Sequence, residues 1–183
     1  MLYKEILASG FGGQGVMSIG TFLVQAGMEE GLNVSWYPSY GPEMRGGTAN
    51  CSVVIADSEI ISPLVLEPTE LIAMNQPSLD KFGSKVQPGG TIFVNSSIVT
   101  GKVDRDDVKA VYVPCVDIAT ELGNLKVANM VMLGAYIEAT GALKIETMYT
   151  LLGKMFQGKK AALIDLNKEA LSRGAACVHQ AAN

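Results

Sequence analysis

An apolar run that ends in a glycine-rich turn and passes at once into helix-spaced residues leaves a chain few ways to fold. Here Ile6-Leu7-Ala8 leads into Ser9-Gly10-Phe11-Gly12-Gly13-Gln14-Gly15-Val16, and Val16, Ile19, Gly20, Leu23, Val24 and Gly27 follow on one helical side. Strand, glycine turn and helix in that order bring backbone N–H groups together where they can hold an anion at the helix start. The spacing Gly10-x-Gly12-x-x-Gly15 matches a dinucleotide fingerprint, and it serves equally as a tight turn with close helix–strand packing. The surrounding residues have to choose between these.

A second glycine segment lies downstream, Ser39-Tyr40-Gly41-Pro42-Glu43-Met44-Arg45-Gly46-Gly47-Thr48. Arg45 combines a fixed charge with the backbone donors of Gly46 and Gly47, a good match for a carboxylate or phosphate. Tyr40 can stack on a flat ligand or a partner's side chain, Glu43 can orient Arg45, and Gln14 can aim a neutral amide at the same place. The same residues also suit a solvated hairpin in which Arg45 pairs locally with Glu43. The candidate residues, for ligand binding or for a subunit interface, are Gly12, Gly13, Gln14, Gly15, Tyr40, Gly41, Glu43, Arg45, Gly46 and Gly47. Small Gly20 and Gly27 are expected to let the first helix approach a sheet closely.

The rest of the chain alternates. Strands are expected at Lys4–Ser9, Asn33–Pro38, Ala49–Ala56, Glu70–Met74, Thr91–Asn95 and Val108–Val113. Helices are expected at Gln14–Glu30, Ser78–Phe82, Val116–Leu122, Ala128–Ala139, Ile145–Phe156 and Lys160–Cys177. Gly31 and Gly141 are placed to cap the first and fourth of these. Ala161, Leu163, Ile164, Leu166 and Leu171 of the last helix are available to a core. The strand at Ala49–Ala56 follows its predecessor with no crossover helix, so it should run antiparallel. The fold expected is α/β: a Rossmann-like three-layer, doubly wound sheet, mostly parallel with at least one antiparallel strand, in one domain over 1–183. In such sheets ligands gather at the carboxyl ends of the strands. Gly10–Gly15, Tyr40–Thr48, Asn75-Gln76-Pro77, Asn95-Ser96-Ser97 and Pro114-Cys115 should share that edge.

Absent chemistry narrows the function. The single histidine, His179, is expected to be frayed and solvated, which leaves Ser–His and Cys–His catalysis without a base in the fold. Cys51, Cys115 and Cys177 form no C-x-x-C, and neither zinc nor a resident iron–sulfur cluster is expected. Cys115 sits where a strand meets a helix, placed either as a reactive thiol or as a small buried residue. No P-loop occurs, nor the Gly-Asp-Gly with later Asn pair that holds magnesium and thiamine diphosphate. Nicotinamide binding calls for an acid at the end of the second strand, and that strand ends Trp36-Tyr37-Pro38-Ser39. No catalytic residue or metal site is expected in this chain alone.

A net charge of −4 argues against nucleic acid as a partner. Hydrophobic residues make up 48% and charged residues 17% of the chain, against about 25% charged in an ordinary soluble domain. A face buried against other chains would account for this, as would a large core in a monomer. Met1-Leu2-Tyr3-Lys4-Glu5 lacks the pattern of a signal peptide, and the apolar tract Val127–Ala142 is too short to span a bilayer, so a cytoplasmic protein with no membrane partner is expected.

The paired motifs, Gly10-Phe11-Gly12-Gly13-Gln14-Gly15 and Tyr40-Gly41-Pro42-Glu43-Met44-Arg45-Gly46-Gly47, resemble those of the gamma subunit of 2-oxoacid:ferredoxin oxidoreductases, and the resemblance runs from Lys4 to about Cys177. Asn75-Gln76-Pro77-Ser78-Leu79 is most similar to the 2-oxoglutarate synthase branch, with the pyruvate, branched-chain and indolepyruvate enzymes sharing much of the pattern. The resemblance implies a subunit of a multi-chain enzyme that converts a 2-oxo acid and CoA to an acyl-CoA and CO2, with electrons passing to ferredoxin. It implies partners named alpha, beta and a ferredoxin-like delta, with thiamine diphosphate, Mg and iron–sulfur clusters held by those partners and none by this chain. An isolated chain would then be inactive and prone to form a homodimer through its exposed apolar face. The alternative from the residues alone is a free-standing nucleotide- or flavin-binding module.

Overall fold

The computed structural model describes residues 1–39 and 48–180. In chain order its elements are β1 (Tyr3–Phe11), α1 (Val16–Glu29), β2 (Asn33–Ser39), β3 (Thr48–Ala56), β4 (Glu70–Ala73), α2 (Gln76–Phe82), β5 (Thr91–Asn95), β6 (Lys109–Val113), α3 (Cys115–Glu121), α4 (Ala128–Thr140), α5 (Ile145–Met155) and α6 (Ile164–Gln180). The strands form one sheet in the order β2-β3-β1-β4-β5-β6. β1, β4, β5 and β6 are parallel neighbours, whereas β3 runs antiparallel to both β1 and β2. The α/β sheet, mostly parallel with an antiparallel strand, is therefore the one expected.

Strand alternation divides the core in two. Ile6 and Ala8 of β1 face a large cluster with α1, α3, α4, α5 and α6, while Leu7 faces a smaller one with Leu79 and Phe82 of α2. Central strands β4 and β5 are covered on both faces, which is why Leu71-Ile72-Ala73 and Ile92-Phe93-Val94 read as unbroken apolar runs.

α1 comes close to the sheet at two glycines, where a side chain would not fit. A Cβ on Gly20 would stand 2.7 Å from Cys51 Sγ, and one on Gly27 would stand 2.5 Å from Val34 Cγ1. Gly31, with φ 73°, ends the helix, its N–H donating to Met28 O. α4 is apolar on every side and buried continuously from Asn129 to Ile137, and Gly141 at φ 58° stops it. α6 packs directly on it. A Cβ on Gly134 would lie 2.0 Å from Leu171 O and one on Gly174 would lie 1.8 Å from Val131 O.

Two expectations about the last helix need correction. Residues 158–163 form a 3-10 turn before α6, and none of them is buried. With no apolar face to seat, that stretch is not drawn into α6, and Ala161 and Leu163 stay exposed while Ala170 and Leu171 enter the core. His179 is not frayed but helical, and its Nε2 lies 2.9 Å from Glu138 Oε1 with the ring largely exposed. No helix among the described residues is long and apolar enough to cross a membrane.

Candidate functional site

Because β2 and β3 form an antiparallel pair and β3 pairs antiparallel with β1, the carboxyl ends of β1, β2, β4, β5 and β6 all point to one edge of the sheet. The glycine turn sits at the centre of that edge. Gly13 at φ 93° and Gly15 at φ 76° occupy the left-handed region, where a side chain is strained. Gly15 is doubly constrained, since a Cβ there would lie 2.5 Å from Asn129 Nδ2 at the start of α4. Gly10 is closed in as well, with Met74 Cβ 2.8 Å from where its own Cβ would stand. Gly12 and Gly13 face solvent.

α1 begins immediately after the turn with no side-chain cap and no acidic residue in its first turn. Its first N–H groups therefore keep their partial positive charge at the edge. A shallow hollow of about 220 Å³ lies over them, lined by Phe11, Gly13, Val16, Met17, Ser18 and Ala49. A second hollow of about 300 Å³ shares Ser18 and runs between Phe22, Met130, Met155 and Leu163, with Lys126 at its rim.

Of the sequence-selected residues, Gly12, Gly13, Gln14 and Gly15 stand together in this turn. Tyr40, Gly41, Glu43, Arg45, Gly46 and Gly47 lie outside the described residues. The strands that carry them are placed, however: Ser39 of β2 pairs with Asn50, and Thr48 of β3 pairs with Phe11. Ser39 and Thr48, which flank the second glycine segment in the sequence, thus stand at the edge beside the first. Gln14 turns inward. Its Oε1 accepts the Phe11 N–H at 2.7 Å and its Nε2 donates to Met74 O at 3.1 Å.

The other edge loops use their polar side chains to start helices. Asn75 Oδ1 accepts the Ser78 N–H at 2.9 Å and caps α2, while Ser97 Oγ accepts from Val116 and Asp117 at 3.0 and 3.1 Å and caps α3. Sequence reasoning placed Asn95 on this edge but not beneath the turn, which it braces from below, and it did not single out Asn129, which braces the other end. Their only signal was a polar residue closing or opening an otherwise apolar run.

Topology bears on the dinucleotide reading. β3 is inserted between β1 and β2, so the end of β2 stands two strand spacings, about 9–10 Å, from β1. An acid there would be too far from the turn to grip a ribose bound on it, and the strand ends Pro38-Ser39 without one.

Cys51 and Cys115 do not offer nucleophiles. Cys51 is pushed up to about 11 by burial, against opposing hydrogen bonds from Trp36 and the Gly20 backbone, and burial holds Cys115 well above its ordinary value. Cys115 is a buried residue in the main core. Among the described residues no three His, Cys, Asp or Glu side chains gather to hold a metal. The described cysteines, Cys51, Cys115 and Cys177, thus form no iron–sulfur ligand set.

The family model described as pyruvate ferredoxin/flavodoxin oxidoreductase matches residues 5–177. Ketoisovalerate oxidoreductase subunit VorA of Methanothermobacter thermautotrophicus is 44% identical over 173 residues, covering 93% of this chain and 35% of its own length. The chain therefore spans about a third of the length of the first curated relatives it matches. 2-Oxoglutarate synthase subunit KorC of Methanocaldococcus jannaschii is 38% identical, with 79% of each chain covered. The solved gamma subunit of a keto/oxoacid ferredoxin oxidoreductase from Geobacter sulfurreducens superposes with a TM-score of 0.83 at 28% identity, covering 97% of this chain and 99% of that one.

Proposed function

We propose that this chain, which belongs to the pyruvate ferredoxin/flavodoxin oxidoreductase family, acts as the gamma-type subunit of a multi-chain 2-oxoacid:ferredoxin oxidoreductase. The observation that carries this is the family match over residues 5–177, on a fold shared with the Geobacter gamma subunit across 97% of this chain. The reaction takes a 2-oxo acid, CoA and two oxidised ferredoxins to an acyl-CoA, CO2 and two reduced ferredoxins, releasing one proton. Relatives named for ketoisovalerate and for 2-oxoglutarate both support a 2-oxo acid as the substrate class. The 2-oxoglutarate branch, favoured by the motif at Asn75–Leu79, is one of two that an assay separates.

Thiamine diphosphate, Mg and the iron–sulfur clusters belong in this reading to alpha, beta and ferredoxin-like delta subunits, as the family resemblance implies. The work left to this chain is to line or support the active-site region. The glycine turn contributes exposed backbone at Gly12 and Gly13 and the positive end of α1. Arg45, on the neighbouring loop, offers a fixed charge to an anionic group of CoA or of the oxo acid. The complex works in the cytoplasm.

The test is Arg45→Ala in the complex co-purified from native cells or reconstituted with its partners, assayed with 2-oxoglutarate and with the branched-chain oxo acid. A ligand role raises the KM for CoA or oxo acid with the assembly intact. Unchanged kinetics in an intact complex remove that role, and loss of assembly makes Arg45 an interface residue. A chain that recruits no partner subunits, and whose melting point rises with NAD or FAD, is instead a free-standing nucleotide module.

A further inference from the structure

Amide side chains, not charges, hold the glycine turn from beneath. The Met74 carbonyl, just past the end of β4, accepts from Gln14 Nε2 at 3.1 Å and from Asn95 Nδ2 at 3.2 Å. Gln14 Oε1 accepts the Phe11 N–H at 2.7 Å, and Asn129 Nδ2 donates to Gly15 O at 3.4 Å. One carbonyl therefore links the ends of β1, β4 and β5, and a third amide, that of Asn129, ties the far side of the turn to α4.

Asn95 is the telling member. It is fully buried, and its Oδ1 has no hydrogen-bond partner among the described residues. A buried acceptor left unpaired lowers stability, and an apolar side chain of similar size would remove that cost. Stability alone thus gives no reason for an amide at this position. What the amide supplies is one directed hydrogen bond, to the carbonyl on which Gln14 also depends.

We propose that Asn95 is a positioning residue for the glycine turn. It fixes the Met74 carbonyl, through which Gln14 holds the Phe11–Gly15 backbone in the shape presented at the sheet edge, while Asn129 braces the Gly15 end. This rests on the gamma-subunit reading only for what the turn is used for, not for how it is held.

The test reads backbone amide exchange by NMR in Asn95→Leu, Gln14→Leu and the double variant. The Phe11 amide serves as probe and the Ile72 amide, inside β4, as reference. Asn95→Leu should speed Phe11 exchange about fivefold to tenfold, the worth of one neutral hydrogen bond, and leave Ile72 within about twofold of wild type. The double variant should exceed Gln14→Leu by less than that factor, because both side chains act through one carbonyl. Phe11 exchange at the wild-type rate overturns the proposal, and so does a rise shared equally by Phe11 and Ile72, which marks general loosening. Should leucine prevent folding, Asn95→Ser shortens the side chain without filling the site and is read on the same two amides. In the assembled oxidoreductase, Asn95→Leu should raise the KM for CoA or oxo acid severalfold with kcat kept. Faster Phe11 exchange with an unmoved KM would leave the positioning role standing and instead refute the placement of the turn beside ligand.

Discussion

The contact between α4 and α6 makes the sharpest stability prediction. Cβ atoms placed on Gly134 and Gly174 would stand 2.0 and 1.8 Å from the carbonyl oxygens of Leu171 and Val131. The obstacle in each case is backbone, which has no rotamer to change, so the helices must move apart by more than an ångström. Overpacking of a core costs about 1–3 kcal/mol, and a backbone clash belongs at or above the top of that range. Alanine returns about 1 kcal/mol of helix propensity. Gly134→Ala and Gly174→Ala should therefore each lose about 2 kcal/mol net, roughly 4–8 °C of Tm for a chain of this size. Gly153, inside α5 with nothing within 4 Å of its Cβ position, is the internal control: Gly153→Ala should gain up to about 1 kcal/mol and raise Tm by about 2–4 °C. Calorimetric melts of the three variants decide it. A Tm for Gly134→Ala at or above wild type, or a fall in Gly153→Ala to match, would refute the claim that these glycines are fixed by backbone approach. The consequence reaches the site, because α4 carries Asn129 against the glycine turn.

Two further predictions concern charge and protonation. Glu70 is almost fully buried, with Lys4 Nζ 2.7 Å from its Oε1; Lys4→Met strands that carboxylate and should cost about 2 kcal/mol, below the 3–5 of a fully buried pair because Lys4 is partly exposed. Adding Glu70→Gln should recover most of the loss in urea midpoint, and a double variant no better than the single would sink the argument. Cys51, raised to about 11 in the folded chain, favours the folded state while its thiol is neutral. That stability is complete below the unfolded value of about 8.5 and is lost as pH rises through about 11. Cys51→Ala should accordingly flatten the decline of Tm between about pH 9 and 11, and iodoacetamide at pH 8 should spare Cys51 and Cys115 in the folded protein; rapid labelling of either would contradict their burial.

Most of the fold was legible because most of its signals are local. β5 was readable to the residue, since Thr91–Asn95 lies between a Pro-Gly-Gly turn and a polar loop. The antiparallel β3 followed from a connection too short for a crossover, and the small face of α1 from Gly20 and Gly27. What was not legible depends on distant partners. Nothing near Gly134 or Gly174 says that their helices meet there, forty positions apart. Gln14 was expected to reach outward because it opens a helix beside exposed glycines, yet the Met74 carbonyl, sixty residues on, draws it in. Asn95 was placed at the edge but its partner, the same carbonyl, was not foreseen, and Asn129 was hidden for the same reason. The split before α6 escaped because periodicity registers apolar residues without showing whether anything lies opposite them.

The form of the edge itself bears on why such a chain would work within a complex. Small-molecule pockets usually enclose about 300–1,000 Å³ and cover most of their ligand, whereas the hollow over the glycine turn is about 220 Å³ and shallow. Its described lining is backbone, apolar side chains and one serine, positive only through the uncapped start of α1. A helix terminus of that kind favours an anion by about 0.3–1 kcal/mol when exposed, far below the 8 kcal/mol of micromolar binding. On the proposed reading Arg45 adds a charge-assisted contact of about 1.5–3 kcal/mol, and these two contributions together still fall short. On the gamma-subunit reading the remainder comes from a partner's surface that closes over the turn. The same arithmetic predicts that CoA at micromolar concentration leaves the melting point of the isolated chain unmoved; a clear upward shift would mean that this edge binds unaided and that no partner is needed to complete it.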